Sequence, residues 1–191
     1  MGTVPNQLTW TTGVAASAAN LNSNVRDAVN FLLSPPLVSV TTTSSLSWAS
    51  STSPAVITQW ATATANTDSN WALSPNPSRL TANTPGLYEI WLYIHYGWVT
   101  YTATQMAHCG IALNNAAGAW LNNGGANRLA EDTRVLSNNA SLGTSIDITI
   151  DQFLNPGDYV EAYTAQTSGA NATIAAGQFN ALFGMRWVGS Q

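Results

Sequence analysis

Between positions 87 and 96 large side chains follow one another without a break, and they sort cleanly onto two faces. Tyr88, Ile90, Leu92, Ile94 and Tyr96 share one face of an extended chain, because strand side chains alternate with a period of two. Leu87, Glu89, Trp91, Tyr93 and His95 share the other, which is mixed but rich in aromatics. Neither face suits free solvation, so the strand is expected at the centre of a sheet, its second face turned toward another subunit. Residues 79–82 (RLTA) read as a short strand ahead of it, and Asn83-Thr84-Pro85-Gly86 as the turn between them. Proline presets φ and glycine accepts φ > 0 there. The expectation is a hairpin inside an antiparallel all-β domain.

The text from residue 37 onward keeps this character. Short strands are expected at 37–40, around Leu46 and Trp48, at 55–60, 109–113, 134–136, 145–153, 159–166 and 179–188. Residues 61–70 read as a polar strand or loop, 114–127 as a loop around Trp120 and Leu121, and 168–178 as a loop around Thr173 and Ile174. In 145–153, Ile146, Ile148 and Ile150 alternate with Asp147, Thr149 and Asp151. In the last stretch Phe179, Ala181, Phe183, Met185 and Trp187 share a face. Eight to ten short strands with regular turn signals indicate a β-sandwich or jelly roll.

The first 36 residues differ. Residues 1–13 read as an irregular arm anchored by Trp10, and residues 15–33 as a helix. Val14, Ala18, Leu21, Val25, Ala28 and Leu32 are spaced 4, 3, 4, 3, 4, a heptad seam, with Val29 and Leu33 on its flank. Ser34-Pro35-Pro36 ends it, since proline lacks the amide and disfavours helix in the residue before it. Such a stripe can lie on the β-domain or form a short coiled coil between identical chains. The chain therefore divides into residues 1–36, an arm with a trimerising or anchoring helix, and residues 37–191, a β head.

Composition narrows the function. Charged residues make up only 7%, with five arginines, no lysine and a formal net charge of -4. Nucleic-acid binding is disfavoured, because neutralising phosphates takes clustered cations. Eight Trp, six Tyr and four Phe argue against disorder. Cys109 is the one cysteine, which excludes an intrachain disulfide and a cysteine metal cage. The first residues lack the basic and apolar regions of a signal peptide, and no apolar run approaches transmembrane length. The expected chain is soluble and made in a cytoplasm, with no membrane insertion.

Chemistry is sparse. His108 and Cys109 are strand neighbours on opposite faces and cannot form a thiolate pair, and His95 reads as a hydrogen-bonded residue of a packed face. Asp147 and Asp151 lie about 13 Å apart at roughly 3.3 Å per residue, too far for a glycosidase pair. Oxygen ligands there could help hold calcium, although solvated strand faces look the same. No catalytic residue, cofactor or metal is assigned. Trp98, Tyr101 and Trp120 fall in segments that read as loops, where aromatics stack on sugar rings or bury at a subunit seam.

Three stretches, NPSRLTANTPGLYEIWLYIHY, LNPGDYVEAYTAQTSG and FNALFGMRWVG, resemble the C1q/TNF-like jelly roll. Gly86, Leu87, Tyr88, Gly157, Asp158, Tyr159, Val160 and Phe179 fall on its pattern. The resemblance implies a homotrimeric head. LTWTTGVAASAANLNSNVRDAVNFLLSPP is similar to the start of tail-associated virion proteins of phages that infect actinobacteria. Together they imply a non-enzymatic phage virion protein, a minor tail or tail fibre protein forming a short surface spike. A capsid decoration protein, or head fibre, is the alternative. The implied partners are further copies of the chain, a tail or major capsid protein, and a host cell-surface glycan. The implied location is the virion. Residues 97–105 and 114–127 match neither pattern, so no ligand specificity carries over from the resemblance.

Overall fold

The computed structural model of the protein describes residues 13, 15, 17–97, 105–114, 127–137, 143–174 and 180–190. A helix spanning residues 18–33 begins as α1 (Ala18–Leu21), capped by the Ser17 hydroxyl accepting from the Asn20 amide at 3.2 Å. It widens to a π-helical segment over Asn22–Arg26 and returns to α-helix as α2 (Asp27–Leu33). No helix among the described residues is long and apolar enough to cross a membrane. The wider turn changes which residues line up. A heptad seam assumes α geometry throughout, whereas the π segment brings residues four apart close to one line. Leu21, Val25 and Val29 accordingly form an exposed row, continued by Leu32 and Leu33. Ala28 is half-buried instead, on the side of Phe31, whose ring meets Trp187 edge-on at 4.9 Å.

Only Ser34, Pro35 and Pro36 separate the helix from β1 (Leu37–Thr41). This link is tied to the head. The Trp187 amide donates to the Pro36 carbonyl at 2.8 Å, the Thr67 hydroxyl to the Pro35 carbonyl at 2.8 Å, and the Leu37 amide to Thr67 Oγ1 at 2.9 Å.

Twelve strands follow among the described residues: β1, then β2 (Leu46–Trp48), β3 (Ser51–Val56), β4 (Thr62–Asn66), β5 (Arg79–Thr81) and β6 (Gly86–Tyr96). After them come β7 (Met106–Leu113), β8 (Arg128–Val135), β9 (Thr144–Leu154), β10 (Tyr159–Gln166), β11 (Ala172–Ile174) and β12 (Leu182–Gly189). They form two antiparallel sheets. One runs β2-β11-β6-β12-β1-β4 with β9 on the other side of β6, and the second runs β3-β10-β7-β8 with β5 beside β10. The protein is a mainly β, antiparallel jelly-roll sandwich preceded by one helix.

The expected central strand is β6, and its inner row Tyr88, Ile90, Leu92, Ile94 and Tyr96 is at most 1% exposed. It packs with Val38, Val40, Ile146, Phe183 and Met185 of its own sheet against Leu80, Cys109, Ile111 and Val160 of the other. Trp60 stacks on Phe183 with centroids 5.7 Å apart. The two phenols of this row are satisfied: Tyr88 donates to the Thr84 carbonyl at 2.7 Å, and Tyr96 bonds Thr164 Oγ1.

The hairpin expectation fails. β5 does not pair with β6; it pairs with β10, Leu80 opposite Val160, in the opposite sheet. Asn83 to Gly86 is a crossover between sheets, held by Ala82 N–H to the Asp158 carbonyl at 2.8 Å and Gly157 N–H to the Ala82 carbonyl at 2.8 Å. Three further expectations shift, the first being that the loop expected over 168–178 holds β11, which pairs with β2 and β6. The strand expected over 55–60 is Ser51–Val56, and Ile57 and Trp60 anchor the core from outside any strand. The short strand expected at 134–136 is the eight-residue β8.

Candidate self-association surface

The outer face of the seven-stranded sheet is built around the second row of β6. Leu87 is exposed, and Glu89, Trp91, Tyr93 and His95 are half-buried in the single chain. Register explains each environment. Glu89 lies opposite Arg186 of β12, and the two pair at 2.7 Å. Trp91 lies opposite Gly184, and its ring occupies the space a side chain at 184 would need. Tyr93 and His95 both reach Ser145 of β9, at 3.2 Å and 2.9 Å between their polar atoms. On β9 the outer residues Ser145, Asp147, Thr149 and Asp151 are all exposed. The result is an aromatic strip bordered by hydroxyls and carboxylates, an unusual surface for a strand that needs no cover.

The helix adds a second such surface. Leu21, Val25, Val29, Leu32 and Leu33 are 46%, 50%, 47%, 70% and 79% exposed. Ala18 is exposed as well, and Ala28 is half-buried. Val14, Trp98, Tyr101 and Trp120, together with Trp10 and Phe179, lie outside the described residues.

The reactive side chains are kept apart. Cys109 is buried, its Sγ 3.2 Å from Thr164 Oγ1, and burial pushes its pKa up to about 12, so it is a neutral thiol. His108 faces the other way, 2.8 Å from Thr133 Oγ1. Asp147 and Asp151 stand opposite Tyr93 and Glu89 in register and are exposed. No three His, Cys, Asp or Glu side chains among the described residues converge as metal ligands.

Burial lowers the pKa of both imidazoles. For His108 burial acts first, Glu131 and Asp132 oppose it, and Arg128 adds to it. The unfolded chain therefore binds more protons than the folded one once pH falls below the ordinary His value of about 6.5. Stability from these groups is complete above that pH and declines as pH drops through the folded-state values. Thermal melts at about pH 7.5 and about pH 5.5 should show the lower Tm at the lower pH. His95→Asn combined with His108→Asn should flatten that dependence; an unchanged slope would show that the carboxylates set it.

The fold has counterparts among solved structures. The globular domain of zebrafish complement 1qA matches with a TM-score of 0.51 at 11% identity, over 82% of this chain and 99% of that one. Murine APRIL matches at 0.54 and 12% identity, over 80% and 98% of the two chains. Eiger TNF from S. frugiperda matches at 0.54 and 12% identity, over 82% and 95%. No protein-family model matches the chain, and neither does any curated protein sequence. The head thus has the C1q/TNF-like fold that the residues of β6, β10 and β12 resemble, at an identity that shows fold alone.

Proposed function

We propose that the chain forms a short, non-enzymatic homotrimeric spike on a bacteriophage particle, as a minor tail or tail fibre protein. The helix stands at the base and the jelly-roll head projects. The carrying observation is the exposed apolar row Leu21, Val25, Val29, Leu32 and Leu33 on a helix that touches its own head through Phe31. An isolated helix of this length is marginal in water, and an unburied row of five apolar residues calls for other copies around a common axis. The strip of Trp91, Tyr93 and His95 supports the same arrangement, because three copies would cover it. The phage assignment rests on the N-terminal motif.

One observation favours capsid decoration as a second reading. With three residues between helix and head there is no shaft, and the reach of the spike is short. Immunogold labelling of intact particles separates the two. Gold on tails supports the first reading, gold over the shell supports decoration, and unlabelled particles containing the chain only in the lysate reject both.

A further inference from the structure

The outer face of the five-stranded sheet carries a groove of about 340 Å³ between β3 and β8. That volume lies at the lower end of small-ligand sites. The groove is walled by rigid strands, with Ser51 and Thr52 on one side and His108, Arg128, Glu131 and Thr133 on the other.

The register shows how the charged wall arises. His108 stands opposite Thr133, Gly110 opposite Glu131 and Ala112 opposite Arg128, which leaves Leu129 as an extra residue. Residues three apart on a regular strand point to opposite faces. The bulge at Leu129 turns Arg128 back onto the face of Glu131, which is what bulges beside binding sites do. Ala165, opposite His108, leaves the floor of the groove low, and Met106 and Pro54 give it an apolar edge.

The polar groups form one set. Arg128 Nη1 meets Glu131 Oε2 at 2.6 Å, His108 Nε2 lies 3.6 Å from the same oxygen, and His108 Nδ1 lies 2.8 Å from Thr133 Oγ1. The Arg128, Glu131 and His108 side chains keep 36%, 37% and 23% of their surface exposed, so solvent and ligand can reach them. With His108 neutral the set carries no net charge, yet it presents a planar donor fork beside a planar acceptor. An anion would meet Glu131 and a cation Arg128, while an apolar ligand would strip water from the ion pair without replacing it. Neighbouring hydroxyls, each both donor and acceptor, satisfy such a wall, and the edge of Met106 and Pro54 suits the C–H face of a ring.

We propose that this groove binds a neutral saccharide of one or two rings. The site does not depend on the particle assignment; only its multiplication does. The groove faces away from the strip of Trp91 and Tyr93, so a trimer closed over that strip would present three open copies, raising a weak affinity through effective concentration.

Saturation-transfer difference NMR on the full chain tests this, with D-glucose, D-galactose, D-mannose, L-arabinose, N-acetyl-D-glucosamine and lactose as probes. At least one should give saturable transfer with a dissociation constant on the order of 1 mM or below. Arg128→Ala with Glu131→Gln should weaken it at least tenfold. Thr52→Trp, at an exposed position on the opposite wall, should abolish it by filling the groove while leaving the polar set intact. Unchanged thermal melting shows that either variant folds, and Thr52→Trp decides the matter if the paired substitution does not. Transfer to none of the six sugars, transfer that survives Thr52→Trp, or tighter binding of D-glucuronate than of D-glucose would overturn the proposal.

Discussion

Gly184→Val should be among the more damaging single substitutions in the head, costing about 3 kcal/mol or more, beyond the usual range for overpacking. A Cβ at 184 would overlap the Trp91 ring and come within 2.7 Å of the Val38 carbonyl oxygen. The indole can swing away; the carbonyl belongs to β1, whose flanking residues Ser39 and Val38 pair with Gly184 and Met185. Gly184→Ala should cost about 1–3 kcal/mol, and at this chain length each kcal/mol lowers Tm by roughly 2–4 °C. Trp91→Ala in the Gly184→Ala background should recover only part of the loss, because the carbonyl stays in place. Chemical denaturation of the two single variants and the double variant measures that coupling. A Gly184→Val chain that melts with the wild type would show that β12 can move away from β1 and β6, contrary to the packing described.

Leu21→Asp combined with Val25→Asp should change the assembly and spare the head. The wild-type chain should scatter light as about three times 20.1 kDa, and the double variant as a single chain. Each carboxylate placed in a closed apolar seam costs several kcal/mol unless it escapes to water. In the single chain both positions are about half exposed, so the melting of the head should hardly move. A trimer mass retained by the double variant would remove the helix from the interface, and a monodisperse wild-type monomer at micromolar concentration would remove the trimer altogether.

Much of the fold could be read from residue pattern because alternation is a local property. The two rows of β6 and the isoleucine row of β9 announce their faces residue by residue, and β10 begins and ends at the turn signals around it. The hairpin reading failed on long-range pairing. Asn83 to Gly86 marks a reversal of the chain, but turn chemistry does not say which sheet receives the next strand, and Leu80 finds Val160 across eighty residues of sequence. β8 is hidden twice, by a polar composition and by the bulge at Leu129 that breaks its alternation. The charged wall of the groove was illegible for the same reason, since Arg128 and Glu131 share a face only because of that bulge. The helix seam was countable, but a spacing of 4, 3, 4 does not reveal that residues 22–26 take a wider turn.

The link between helix and head has a mechanical meaning. Two of its three residues are prolines with φ locked near −65°, and both proline carbonyls are held by the sandwich. A head mounted in this way has no gimbal. It cannot swivel on its helix, so on the proposed spike the search over angles would fall to the tumbling of the whole particle. Any sideways load on the head is likewise delivered as a bending moment at its root, where the Phe31 and Trp187 rings act as the bearing.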